Sequence, residues 1–302
     1  MPCEKVNSLA RTREYGDEML LIDAHHHLWK YNPRDYAWIG PNQSVLKRDY
    51  LPAELGALAK ETGVTGTVVV QARQTLEETR WLLELARGSN LLKGVVGWAP
   101  LTKPDVERDL EHLANQPKLK GVRHVLHDEP DENYMLREDF NRGVARLRKF
   151  GLVYDVLIYE RHLKQTIEFV DRHPNQIFVI DHLAKPRIKE GILSPWRELM
   201  TELAKREKVY CKVSGMVTEA VWDKWTPQQL QPYFDVVLSA FGPRRLMFGS
   251  DWPVVTLAAS YRKWVETFRS FISGLSRDEQ ERICSGTATE AYRFGVNTPI
   301  KY

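Results

Sequence analysis

Cysteine is scarce in this chain. Its three thiols, Cys3, Cys211 and Cys284 in 302 residues, are odd in number and form no CxxC pair, which excludes a disulfide framework. A reducing, cytoplasmic compartment is the natural expectation, with Cys211 a small core residue of a strand-like run. There is no apolar run of about 18 residues, so no membrane span is expected. The stretch Met1-Pro2-Cys3-Glu4-Lys5-Val6-Asn7-Ser8 has no apolar segment of signal-peptide length. Charge of one sign is also missing. A net +3 with no basic run interleaved with aromatics leaves no electrostatic footprint for nucleic acid or an anionic membrane. No GxGxxG follows the first strand-like run, which removes the main support for a dinucleotide-binding open sheet.

What the chain does have is a repeated alternation. Eight β-rich runs recur at Leu20–His25, Gly66–Arg73, Leu92–Trp98, Leu119–Val125, Gly151–Ile158, Gln176–His182, Lys208–Ser214 and Arg245–Asp251. They are apolar on both faces, as strands of a covered parallel sheet are. Helical patterns lie between them: Thr75–Ala86, Asp105–Leu113, Asp139–Lys149, Arg161–Arg172, Pro195–Glu207 and Pro227–Ala240, with Ser260–Ser273 and Ser276–Ser285 closing the chain. Thr75 and Glu78 have capping-box spacing, and Pro195 and Pro227 suit first helical turns. Eight β/α units in about 250 residues predict a single-domain (β/α)8 TIM barrel over residues 19–302, preceded by a loose polar arm at 1–18. The longest connection, Trp29 to about Pro52, carries Trp29, Tyr31, Tyr36, Trp38 and Tyr50. It reads either as a wall of the barrel mouth or as a flap packed on the barrel.

The first run leads into Asp23-Ala24-His25-His26-His27. Side chains alternate along a strand, so His25 and His27 share a face about 7 Å apart and His26 faces away from them. Two such imidazoles can close on one metal ion or one substrate oxygen. In a (β/α)8 barrel the functional side chains stand at the C-terminal strand ends. Polar residues there are His25 and His27, Arg73, Trp98, Arg123, His124 and His127, Asp155 and Tyr159, Asp181 and His182, Lys212 and Ser214, and Asp251 and Trp252. Histidines on several strand ends facing a carboxylate are more specific than any one motif.

Through Ile22-Asp23-Ala24-His25-His26-His27, Gly121-Val122-Arg123-His124, Ile180-Asp181-His182-Leu183-Ala184-Lys185-Pro186 and Phe248-Gly249-Ser250-Asp251-Trp252-Pro253, the chain resembles the amidohydrolase superfamily over about residues 20–295. It is most similar to its sugar-lactone hydrolases of the fuconolactonase and rhamnonolactonase type. The resemblance implies opening of an aldonolactone to the free acid. It also implies one divalent metal, zinc by its ligands, held by His25, His27, His182 and Asp251. Binuclear members carry a Lys or Glu on strand four and a His on strand five; Arg123/His124 and Asp155 stand there, so two metals are not expected.

Lactone hydrolysis needs an activated water, a stabilised oxyanion and a proton for the leaving alkoxide. Asp251 is assigned general base and then acid, with His182 beside it. A metal ion would lower the pKa of the water and polarise the carbonyl; without one, His25, His27, His182 and Arg123 would supply oxyanion donors. Arg73, Trp98, Arg123, His124, Tyr159, Lys212 and Trp252 are assigned to the substrate. Arg123 and His124 cannot both point inward on an ideal strand, and Arg123 is taken as the inward one. Lys212 either meets substrate or neutralises Asp155 or Asp251. Asp23 is expected to orient a histidine, and His112, His162 and His173 to lie at the surface. His127 sits in an acidic rim as either a solvated residue or a substrate contact, and Trp222 and Trp225 are read as helix packing.

The expected partner is a small lactone, with neither nucleic acid nor membrane; a homodimer is compatible with the sequence but nothing argues for one. The competing reading is a metal-dependent nonoxidative decarboxylase of the same superfamily acting on an aromatic or dienoic acid. That enzyme would need a more apolar pocket. A non-catalytic metabolite-binding barrel is the third alternative.

Overall fold

The computed structural model describes residues 19–295; the expected arm at 1–18 and Cys3 lie outside them. Eight parallel strands pair in chain order: β1 Leu21–His26, β2 Val64–Val70, β3 Leu92–Gly97, β4 Leu119–Val125, β5 Val153–Leu157, β6 Phe178–Ile180, β7 Val209–Val213 and β8 Leu246–Phe248. The eighth returns to the first through a His26–Trp252 bridge and the bonds Asp251 N–H to His25 O (2.7 Å) and His27 N–H to Trp252 O (2.6 Å). The result is the (β/α)8 TIM barrel that the alternation predicts.

Helices cover the strands outside: α1 Pro52–Thr62, α2 Leu76–Arg87, α3 Val106–Ala114, α4 Glu138–Leu147, α5 Leu163–Asp171, α6 Trp196–Leu203, α7 Pro227–Phe241 and α8 Tyr261–Ile272, then the short α9 Arg277–Glu281 and α10 Thr287–Ala291. Thr75 caps α2 by accepting from Glu78 N–H at 3.1 Å, the bond its spacing predicts. The sequence reading names no helix at α1, which follows the long first connection. Among the described residues no helix is long and apolar enough to cross a membrane.

Two apolar layers follow from strand alternation. The larger, including Leu82, Phe140, Phe169, Phe234 and Phe268, lies between strands and helices. The smaller fills the barrel with Ile22, Ala24, Val68, Val70, Val96, Val179 and Met247, and is stoppered by Ala288, Ala291 and Tyr292. Cys211 is fully buried in the outer layer. Above the stopper, the ends of several strands bring polar residues to one shared cavity, among them His27, Arg73, Arg123, His182 and Asp251.

Candidate active site

Strand β1 breaks strict alternation where the site begins. Asp23 pairs with Thr67 but His26 pairs with Val69, so β1 carries one extra residue there, a bulge that re-aims side chains. Ala24 and His25 both face the barrel interior, while Asp23 turns outward. Its carboxylate accepts from Ser250 N–H (2.7 Å), His25 N–H (3.2 Å) and Tyr261 O–H (3.0 Å). Asp23 thus clips β1 to β8 and holds His25 by its backbone N–H rather than by its ring. Burial, opposed by these bonds, raises its pKa to about 6. His26 leaves the site as alternation predicts and bonds Thr67 Oγ1 at 3.0 Å, fully buried.

His25, His27, His182 and Asp251 converge. Their Nε2 atoms lie 3.7, 3.4 and 3.8 Å from Asp251 Oδ1, and the Nε2 atoms of His25 and His27 are 3.3 Å apart. Each ring is held at its other nitrogen. His27 Nδ1 donates to Val70 O at 2.8 Å, His25 Nδ1 meets Asp181 Oδ1 at 3.2 Å, and His182 Nδ1 meets Ser214 Oγ at 2.8 Å. The close packing requires two glycines. A Cβ on Gly215 (φ +64°) would come within 2.7 Å of the His182 ring, and one on Gly249 within 2.9 Å of His25 Cβ.

Burial pushes the His25 and His182 pKa values well below the ordinary value, with Asp181 and Asp251 opposing. Burial would raise the Asp251 pKa, but His182 and His27 outweigh it and hold the carboxyl below its usual range. The site therefore sets a carboxyl held below its usual range beside two imidazoles, His25 and His182, whose protonated forms burial disfavours.

This donor set fits one metal ion. With Nδ1 of His25 and His27 donating, their Nε2 lone pairs face each other across 3.3 Å, an arrangement that a shared cation relieves. The spacing equals the edge of a tetrahedron with bonds of about 2.0–2.1 Å, the zinc–nitrogen length. His25, His27 and Asp251 offer ligand atoms close enough for one ion; so do His25, Asp181 and His182, although Lys212 and Arg123 already engage Asp181.

The assigned substrate residues separate into two groups. Arg73, Arg123 and Tyr159 line a cavity of about 720 Å³ that also holds His27, His182 and Asp251. Arg73 lies 3.3 Å from Asp35, and Arg123 bonds Asp181 at 3.0 Å and Gln71 O at 2.5 Å. Trp98, His124, Lys212 and Trp252 are not on its wall. His124 bonds Glu129 at 2.6 Å, receives the Trp98 N–H at 3.3 Å and stacks on Tyr134. Trp252 is buried edge-on against Tyr50. Lys212 is fully buried beneath the histidines, bonded to Asp155 Oδ2 at 2.5 Å and Asp181 Oδ1 at 3.0 Å.

Other residues differ from expectation. His162 is buried, not superficial, and its Nδ1 accepts from Tyr159 N–H at 3.3 Å. His112 is exposed and His173 half-buried. His127 faces the cavity and stacks on Tyr159 with ring centres 4.6 Å apart. Trp222 lines the cavity, whereas Trp225 is packed away.

Sequence reasoning missed the Lys185–Glu219 pair on the cavity wall, joined at 2.7 Å. It also missed the turn that carries Lys185: His182, Leu183, Ala184 and Lys185 all have φ between +50° and +58°. Left-handed backbone costs a non-glycine residue about 1–2 kcal/mol. Here it is restrained by buried Leu183 and Ala184 and by Trp196 N–H donating to Leu183 O at 2.7 Å. The only available signal was the unusual run Asp181–Pro186 at a strand end.

The fold and this set of strand-end groups define a class. The chain belongs to the amidohydrolase family, whose match spans residues 22–294. It is similar to L-fucono-1,5-lactonase of Burkholderia multivorans, 42% identical over 90% of this chain and 96% of that one. A crystal structure of an amidohydrolase from Burkholderia multivorans with bound zinc superposes with a TM-score of 0.87 at 41% identity, covering 91% of this chain and 99% of that one. An L-rhamnono-gamma-lactonase of Scheffersomyces stipitis is 28% identical over 68% of this chain and 70% of its own.

Proposed function

We propose that this protein hydrolyses a sugar-acid lactone to the free aldonic acid. The observation that carries the reading is the Asp251 carboxylate, ringed by three imidazole nitrogens at 3.4–3.8 Å on the wall of a cavity that also carries Arg73, Arg123 and Lys185. The similarity to L-fucono-1,5-lactonase supports this chemistry and directs attention to six-membered rings.

The residues supply each requirement of the reaction. A water beside Asp251 gives a proton to the carboxylate while its oxygen attacks the lactone carbonyl carbon. The oxyanion that forms is stabilised by donors already positioned, with Arg123 on the cavity wall. Collapse breaks the bond between the acyl carbon and the ring oxygen. Asp251 returns its proton to the departing alkoxide, and the new acid ionises, releasing one proton to solvent. His25, His27, His182 and Asp251 would hold a zinc ion; when bound, zinc supplies a lower water pKa and a Lewis acid at the carbonyl. The remaining cavity wall binds the ring, with Arg73 and Tyr159 donating to its hydroxyls.

Decarboxylation of an aromatic acid calls for a more apolar wall than one carrying Asp35, Arg73, Glu129, Lys185 and Glu219. The test is a pH-indicator screen of 1,4- and 1,5-aldonolactones, with and without a chelator. Acid release from at least one lactone is expected. No acid release from any lactone, together with carbon dioxide release from an aromatic acid, overturns the reading.

A further inference from the structure

The turn after β6 is strained along four consecutive residues, none of them glycine. Strain of this kind persists where the surrounding structure enforces it, and it gathers at functional sites. One effect of the turn is to present His182 to Asp251. The other is at its end: Lys185, whose side chain extends into the same cavity. There it meets Glu219, which comes from the separate loop after β7, Nζ to Oε1 at 2.7 Å. The pair is mostly enclosed, at 17% and 21% side-chain exposure, and Trp222 lines the same cavity. Glu219 raises the Lys185 pKa against the effect of burial, so the ammonium stays charged.

An ammonium has three donors and a carboxylate about four acceptor directions. Their mutual bond uses one of each. The rest of both groups lies at the cavity wall, a donor beside an acceptor at hydrogen-bond spacing. Two adjacent hydroxyls on a ring match that arrangement, one accepting from Lys185 and its neighbour donating to Glu219. A ligand carboxylate would satisfy the ammonium but stand against Glu219.

Resting on the lactone-hydrolysis reading above, we infer that Lys185 and Glu219 form a diol clamp that selects neutral lactones with vicinal ring hydroxyls over lactones that lack those hydroxyls or carry a carboxylate. Sites built to bond a hydroxyl reject its absence because their own polar groups are left unpaired.

The experiment has two arms. In the first, kcat and KM are measured for a 1,5-aldonolactone and for δ-valerolactone, which has the same ring without hydroxyls. In the second, calorimetry measures binding of the corresponding aldono-1,5-lactam and δ-valerolactam, which needs no turnover. Both arms use wild type, Lys185→Met, Glu219→Gln and Lys185→Arg, with circular dichroism checking each fold. The preference for the hydroxylated ring should fall by about tenfold or more in Lys185→Met and in Glu219→Gln, mainly through KM, and be partly kept in Lys185→Arg. Equal losses on both rings, or an unchanged preference, overturn the clamp. Preferential lactam binding that depends on the pair, without lactone hydrolysis, would sustain the clamp and overturn the reaction. Hydrolysis with a preference indifferent to both substitutions would do the reverse, and absence of both would overturn both.

Discussion

Replacing Lys212 by methionine removes one positive charge from the inside of the barrel and leaves its shape nearly intact. The Lys212 ammonium is fully buried and lies 2.5 Å from Asp155, 3.0 Å from Asp181 and 3.2 Å from His25 Nδ1. After the change, Asp181 keeps Arg123 at 3.0 Å, but Asp155 keeps only the Tyr292 hydroxyl at 2.9–3.0 Å. Removing one member of a buried ion pair costs about 3–5 kcal/mol, a large share of a typical total of about 5–15 kcal/mol. With a urea slope of about 3 kcal/mol per molar for a chain of this size, the unfolding midpoint should fall by about 1–1.7 M.

The loss should depend on pH. Burial, opposed by Lys212, already raises the Asp155 pKa from 3.8 to about 6, and without the ammonium it rises further. A carboxyl whose folded pKa is raised stabilises the fold below its unfolded value and loses that contribution as pH climbs through the folded value. At about pH 5 the variant's Asp155 is protonated and little is lost; at about pH 8 the fold must bury a bare charge or hold a proton against solvent. Urea unfolding at both values measures the difference, and Asp155→Asn added to Lys212→Met should recover part of the loss. A loss under about 1 kcal/mol, or one equal at the two pH values, would refute this account of the barrel interior.

Three further outcomes follow from the site. Asp251→Asn should lower kcat by about 10²–10⁴-fold with the fold kept; undiminished hydrolysis would remove Asp251 as the base. Because the Asp251 pKa lies below its ordinary 3.8, kcat/KM should stay flat as pH falls from neutral, with its acid limb below the usual carboxylate range; a limb near neutrality would assign the base elsewhere. Zinc added to chelator-treated protein should raise its stability by about 2.7 kcal/mol at a hundredfold excess over Kd. That rise should vanish in His25→Ala combined with His27→Ala, read by thermal unfolding and by metal content.

Periodicity and strand-end polarity made the eight strands readable, along with the convergence of His25, His27, His182 and Asp251. Signals that depend on distant partners were not readable. A lysine ending a strand looks like a ligand contact, and only the carboxylates of Asp155 and Asp181 across the barrel explain why Lys212 lies beneath the site. The run through Asp181 and His182 looks like continued strand, yet β6 stops at Ile180. No glycine announces the left-handed turn, because it is enforced by Trp196 and by buried Leu183 and Ala184 rather than by local preference. The bulge in β1 is likewise a matter of pairing with β2, so Asp23 reads as facing the histidines when it faces away. Lys185 and Glu219 come from loops 34 residues apart, and their pairing has no local pattern.

The meeting of β1 with β8 places nearly the whole chain between the two halves of the chemistry. Asp23 reaches Ser250 across 227 residues of sequence, and His25 and His27 meet Asp251 over a similar interval. Closing the ring and gathering the proposed base, Asp251, among its imidazoles are therefore one event. A nascent chain stalled after β7 would hold seven strands and three of the four convergent groups but no Asp251. Under the proposed mechanism, hydrolysis would begin only once the last strand has docked beside the first.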